Sequence, residues 1–439
     1  MTAAAKRVAV IGGGWAGCAA AVELAQRGDV VTIFEAARTL GGRARRVELA
    51  GKCLDNGQHI LLGAYSETLR LMQAVGIHPD DVLLRLPLQM RYPGSDGMDF
   101  ITPRLPAPLH MLVGLLRAKG LAREDKLALA RFTTTARWMD WQLNNDCSVA
   151  ELLERFDQTE RLIHLMWRPL CIAALNTPPE RASAKVFLNV LRDSLGARRR
   201  ASDMLLPRVD LTMLFPEHAA SFIQQHGGEV RHGASVKSIR TTLSGWCVTC
   251  NGQLEGAHEH FDAVIVATSP AHAANLLEGL GNAVSVPSFT YEPITTCYLQ
   301  YDATVRLPNP FFALIDNTRN REWGQFVFDR GWLDKEQAGL LAVVVSASEE
   351  LLEHAHEELT DAISAQLARA LQRPELSTPR WTKVITEKRA TFSCTPGLLR
   401  PANATALPGL ALAGDYTECD YPATLESATR SGVLAARCI

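Results

Sequence analysis

An α/β fold is what the sequence predicts, and three observations predict it. Residues 7–35, RVAVIGGGWAGCAAAVELAQRGDVVTIFE, pass from an apolar run through a small-residue stretch into a second apolar run. A glycine cluster marks the first junction, and an acid closes the second run. Far along the chain, residues 407–436 show a short apolar run, then glycine and acid, then a helical pattern. Short apolar runs bounded by turn residues read as buried strands, and strands alternating with helical patterns read as a parallel sheet.

The elements follow in order. Residues 8–11 make the first strand, 16–26 the helix and 30–34 the second strand. Between strand and helix lies Gly12-x-Gly14-x-x-Gly17. Gly12 allows the tight turn, Gly14 lets backbone approach a pyrophosphate, and Gly17 lets helix and strand pack closely. The helix start, with Ala16 in its first turn, aims free N–H groups and the positive dipole end at phosphates. Glu35 ends the second strand, where a carboxylate accepts ribose hydroxyls. The constellation is that of a Rossmann-like dinucleotide-binding domain. The competing reading is a glycine-rich turn beside a solvated glutamate.

Composition narrows the rest. With 439 residues the chain has room for two domains, and its 47% apolar and 21% charged content is that of an ordinary globular protein. A formal net charge of −2 gives no electrostatic case for nucleic acid. The N-terminus goes almost directly into a strand, without an apolar secretory core. A reducing cytoplasm is therefore expected, with the ten scattered cysteines unpaired. No stretch approaches the roughly 18 apolar residues of a membrane span. Cys247-x-x-Cys250 falls in a strand-like stretch, where the two side chains face opposite sides, so no metal site is expected.

Soon after Glu35 comes Leu40-Gly41-Gly42-Arg43. A glycine pair with an arginine wraps a pyrophosphate and adds a charge clamp, although alone it is a common turn. In this position it resembles the FAD signature of the carotenoid desaturase and flavin amine oxidase superfamily. Residues 410–413 then read as a strand ending in Gly414-Asp415, an acid suited to the ribityl chain and pyrophosphate edge of FAD. A helix from Thr424 and Leu425 aims its first N–H groups at the flavin ring. The bland alternative is a last core strand and a packing helix.

The resemblance extends further. AGDYT followed by YPATLESATRSG resembles the C-terminal motif of carotene desaturases. DNGQHILLGAY resembles the stretch that runs along the flavin, DAVIVATSP the strand closing the FAD domain, and GGEVRHGASVKSI the strand contacting adenine around Val236. WRPLCIAALNTP and SDMLLPRVDLTMLFP are similar to a narrower branch, the squalene-associated desaturase-like family of hydroxysqualene dehydroxylases. One departure is Ala37, where many amine oxidases carry arginine.

The resemblance implies a discontinuous FAD-binding domain of residues 1–85, 205–270 and 385–439. Residues 86–204 and 271–384 would form an inserted α+β substrate domain. On this reading the polar run Asp55 to His59 faces the cofactor: Gly57 permits close approach to the ring, and Gln58 hydrogen-bonds the flavin. His59 is a candidate proton donor, switching charge near neutral pH, or else a core histidine satisfied by a carbonyl. Asp203 is the second candidate acid, or a cap on the following segment. Residues 105–121 suit an interfacial or lid helix, or a helix buried under the cap, and Arg198 to Arg200 suit anionic headgroups or a solvated loop. Residues 348–372 read as one amphipathic helix with Leu352, Ala355, Leu359, Ile363 and Leu367 inward.

The reaction the resemblance implies is reductive removal of the hydroxyl of hydroxysqualene to give squalene, by hydride from reduced flavin N5. It needs a long apolar isoprenoid substrate and an external electron donor, with peripheral contact at the inner membrane face an option. A carotenoid or polyprenoid desaturase is the alternative. A flavin-free prenyl-binding carrier is a third reading.

Overall fold

The computed structural model describes residues 5–94, 96–196, 198–251 and 258–439; the first four residues of the expected 1–85 segment lie outside them. In chain order, the elements that build the site are β1 (Arg7–Ile11), α1 (Trp15–Gln26), β2 (Val30–Glu35), α2 (Leu109–Arg117), α3 (Arg123–Trp138), β3 (Glu229–His232) and β4 (Ala263–Val266). They continue with β5 (Tyr291–Gln300), β6 (Phe311–Ala313), β7 (Phe326–Asp329), β8 (Leu340–Ser346), α4 (His356–Ala370), β9 (Trp381–Phe392), β10 (Leu410–Leu412) and α5 (Leu425–Arg437).

A parallel sheet in the order β3-β2-β1-β4-β10 draws its strands from three separated stretches of chain. Both faces are covered, which is why RVAVI carries no polar alternation. Val8, Val10, Val31 and Ile33 pack with Ala20, Ala21 and Leu24 of α1 on one side. Ala9, Ile11 and Phe34 pack on the other with Ile239, Trp246 and Phe261 of a small antiparallel sheet. Helix α1 is buried nearly all round. Its small residues admit α5 so closely that a Cβ on Gly432 would stand 2.2 Å from the Ala16 carbonyl oxygen.

The second sheet is antiparallel, ordered β6-β7-β8-β5-β9. Strand alternation divides its residues between two faces. Cys297, Leu299, Val327, Leu341 and Val343 pack under α4, on Leu359, Ile363 and Leu367. Tyr298, Phe311, Phe326, Phe328, Ala342 and Val344 belong to the large core that includes Trp167 and Phe187.

Several expectations are corrected here. The boundary at 385 falls inside β9, which stays paired with β5 as far as Tyr291 opposite Phe392. The boundaries at 85/86 and 204/205 pass through Leu83–Leu86 and Met204–Pro207, which pair with each other. Residues 348–372 are not one helix: a 3₁₀ turn, Glu349–Glu353, precedes α4 and leaves Leu352 exposed. Arg199–Ser202 is a short helix rather than a loop, with Arg199 paired to Asp203 at 3.2 Å. Residues 227–239 hold two strands in different sheets, β3 and Val236–Thr242.

Candidate FAD site

The glycine turn is fixed by close backbone contacts. Gly12 has φ +107°, and a Cβ there would lie 2.6 Å from the Ala267 oxygen. A Cβ on Gly17 would lie 1.9 Å from the Gly12 oxygen, so this crossing of helix over turn admits glycine alone. Gly14 differs: it caps α1 in extended conformation, and a Cβ there would meet only the Gly42 Cα, at 3.9 Å. The room beside Gly14 is what a pyrophosphate needs, since the N–H groups of the first turn of α1 have no intrahelical partner.

The second glycine turn docks on the first. Gly41 N–H donates to the Gly13 oxygen at 2.8 Å, and Gly14 and Gly41 form a parallel bridge. Gly42, at φ +62°, then turns the chain so that Arg43 points across the cleft. Arg43 donates to Asp415 Oδ1 and to the Ala390 carbonyl, both at 2.7 Å. Asp415 is held there by the turn at Gly414, whose N–H donates to Ser431 Oγ at 2.9 Å. Thr424 caps α5 with its hydroxyl on Ser427 N–H, leaving Leu425 as the first helical residue.

Glu35 serves the turn as well as any ribose. Its carboxylate accepts from the N–H groups of Gly13 and Ala37, both at 2.7 Å. The Gly233 and Ala234 N–H groups donate to the Ala37 and Glu35 carbonyls, which brings the segment leading into Val236 beside the acid.

The polar run at 55–59 is only partly turned toward the cleft, which corrects its expected reading. Asp55 is 3% exposed; its carboxylate accepts from Leu211 N–H at 2.8 Å and lies 4.0 Å from buried Arg330. Asn56 donates to the Arg43 carbonyl and to Glu387, both at 3.1 Å. These two side chains serve the protein's own architecture. Beyond them, the site of a Cβ on Gly57 would be 3.8 Å from Thr296 Oγ1. Gln58 accepts from Arg330 at 2.9 Å.

His59 meets the Gly57 carbonyl through Nδ1 at 2.8 Å. A carbonyl only accepts, so Nδ1 carries the proton and Nε2 is left as an acceptor. Burial, and secondarily the Arg43 charge, hold its pKa below the usual histidine value, despite the Gly57 bond. That direction runs against a charge switch at neutral pH. Asp203 is engaged elsewhere: Arg199 at 3.2 Å and Arg85 at 3.4 Å flank its buried carboxylate, and its carbonyl accepts from Gly63 N–H. It also ends the short helix before it.

Buried polar atoms test the fit of a cofactor. Gln58 Nε2, Thr296 Oγ1 and Tyr416 Oη are among the buried side-chain atoms that find no hydrogen-bond partner among the described residues. Buried orphans of this kind call for a partner. The open glycine cradle, the Arg43 charge and these atoms fit FAD. Arg330, Glu387 and Thr296 were missed in the sequence; a lone arginine between Phe328 and Trp332 is the one signal that marks any of them.

A glycine cradle at the C-terminal end of the central strand of a parallel sheet, clamped by an arginine and roofed by a separate antiparallel sheet, defines an FAD-dependent oxidoreductase. The chain belongs to the flavin-containing amine oxidoreductase family, whose profile matches residues 15–439. It is 28% identical to the hydroxysqualene dehydroxylase of Rhodopseudomonas palustris, covering 98% of this chain and 97% of that one. It is 24% identical to the zeta-carotene desaturase of Synechocystis, covering 99% and 97%. Among solved structures, cyclohexylamine oxidase from Brevibacterium oxydans superposes with a TM-score of 0.66 at 16% identity, covering 99% and 98%.

Two outcomes are expected. Arg43→Leu removes a charge-assisted contact worth about 1.5–3 kcal/mol, so the FAD dissociation constant rises roughly ten- to hundredfold in a fluorescence titration of apoprotein. The second concerns Asp55, whose carboxyl burial pushes up to about 6 against the pull of Arg330 and Leu211 N–H. An acid with a raised folded-state pKa adds stability below its unfolded value and loses it as pH rises through the folded one. Denaturant unfolding of the wild type should therefore lose stability relative to Asp55→Asn between about pH 4 and about pH 6. Parallel profiles would show that Asp55 titrates normally.

Proposed function

We propose that the protein reductively removes the hydroxyl of hydroxysqualene, giving squalene. The observation that carries this reading is similarity across nearly the whole chain to hydroxysqualene dehydroxylases from three bacteria, at 28% identity each.

FAD, when bound, supplies or takes up hydride at N5. The chain must do the rest. Hydroxide leaves poorly, so the C–O bond breaks only as a proton reaches the oxygen. The allylic cation left behind survives only where water is excluded. His59 is the proposed proton relay. Its Nε2 accepts a proton from outside, and a lowered pKa makes the imidazolium quick to release it. Net removal of water consumes one hydride and one proton, so an external donor must return the electrons.

The similarity to zeta-carotene desaturases favours a second reading, hydride abstraction to form a double bond. Anaerobically reduced protein mixed with hydroxysqualene separates the two. Squalene should form as the flavin band returns; neither product nor reoxidation would sink the dehydroxylase reading.

A second proposal is that the protein docks on an anionic membrane surface through α2. No helix among the described residues is long and apolar enough to cross a membrane. Leu109, Leu112 and Leu116 are 47%, 51% and 65% exposed, while His110, Gly114 and Leu115 are buried beneath them. Arg117 ends the helix, Lys119 and Arg123 follow, and Lys126 of α3 donates to the Leu116 carbonyl. An apolar stripe beside cations matches an interfacial helix. Wild-type protein should cosediment with phosphatidylglycerol vesicles and L112D/L116D should not. Equal cosedimentation, or none for the wild type, overturns the proposal.

A further inference from the structure

Arg330 follows β7 and is 3% exposed. Its Nε donates to Gln337 Oε1 at 2.9 Å and its Nη1 to Gln58 Oε1 at 2.9 Å, while Nη2 stands 4.0 Å from Asp55 Oδ2. The fork is thus spread over three partners, and Asp55 supplies the opposing charge. A guanidinium only donates, so it dictates which end of the Gln58 amide faces it. The oxygen must point at Arg330 and the NH2 must point away. That NH2 is buried and has no partner among the described residues. Thr296 Oγ1, beside neighbouring Gly57, is likewise unpartnered. Unpaired buried donors are costly, and a rigid arrangement that keeps one unpaired is set to meet an acceptor that arrives from elsewhere.

We propose that Arg330 is a positioning residue, locking Gln58 so that its amide N–H group donates to an acceptor in the flavin cleft. The acceptor is either an atom at the edge of the flavin ring or the hydroxyl oxygen of the substrate. The first rests on FAD binding alone, the second also on the proposed reaction. Arginine is required because lysine offers a point charge and no planar fork.

Full-length protein loaded with FAD tests this through a double-mutant cycle of Q58L and R330M, with R330K alongside. The first readout, without substrate, is the flavin absorbance spectrum and the FAD dissociation constant. The second is the dissociation constant of hydroxysqualene for the oxidised protein. Q58L and R330M should perturb the same readout by the same factor, roughly tenfold for one hydrogen bond. R330K should behave as R330M, and the double variant should be no worse than Q58L. A change in the first readout identifies the ring as acceptor, and one confined to the second identifies the hydroxyl. Because the first readout needs no turnover, failure of the dehydroxylase reading leaves it intact. Multiplying effects, a silent R330M beside a perturbed Q58L, or silence of Q58L in both readouts overturns the proposal. Should R330M fail to fold, D55N/R330M, which removes both buried charges together, is compared with D55N in its place.

Discussion

The guanidinium of Arg43 joins three parts of the chain that sequence keeps far apart. It leaves the second glycine turn, pairs with Asp415 near the C-terminus and reaches the Ala390 carbonyl on the cap strand β9. The two glycine turns hold one another only through backbone contacts, and Arg43 adds the side-chain link to the C-terminal loop and the cap strand. The pair is partly open to solvent, and as an isolated ion pair it would stabilise the fold little. Its importance is geometric. The second glycine turn, the Asp415 loop and the cap strand are set at hydrogen-bonding distance from one residue.

Around that anchor the protein keeps two kinds of polar group. Glu35, Asp55 and Asn56 spend hydrogen bonds on the protein itself, fixing turns and tying the flavin-side loop to Leu211 N–H and Glu387. Gln58, Thr296 and Tyr416 retain buried atoms without partners among the described residues. The first group makes the second possible, because an unpaired donor stays put only when the backbone beneath it is over-determined. His59 is intermediate: one ring nitrogen is committed to Gly57, and the other has no bond that fixes its tautomer further.

The sequence made legible those features whose chemistry is local. Gly12, Gly14, Gly17 and Glu35 fall within one strand-helix-strand unit, and phosphate binding imposes their spacing directly. The strand before Asp415 and the helix after Thr424 were readable for the same reason. Arg330 was not, because its role exists only where β7 folds over residues 55–58, and no periodicity records that meeting. The continuation of β9 through the expected boundary at 385 has a similar origin. The strand is twelve residues long, and nothing in WTKVITEKRATF says which of its residues pair with β5 and which approach the cofactor. The break before α4 was missed because helical spacing continues through Leu352 and Ala355, while the backbone instead tightens into a 3₁₀ turn.

That long strand has an architectural consequence. β9 pairs with β5 in the roof on both sides of a bulge, supplying the Ala390 carbonyl oxygen to Arg43 and the Glu387 side-chain carboxylate to Asn56. Roof and floor are therefore welded by a single uninterrupted ribbon rather than hinged through a linker. Transplanting the roof onto a related floor, to exchange one greasy ligand for another, would carry part of the coenzyme's cradle along with it. Chimeras in this scaffold would have to splice beyond Phe392, or accept a damaged nucleotide seat.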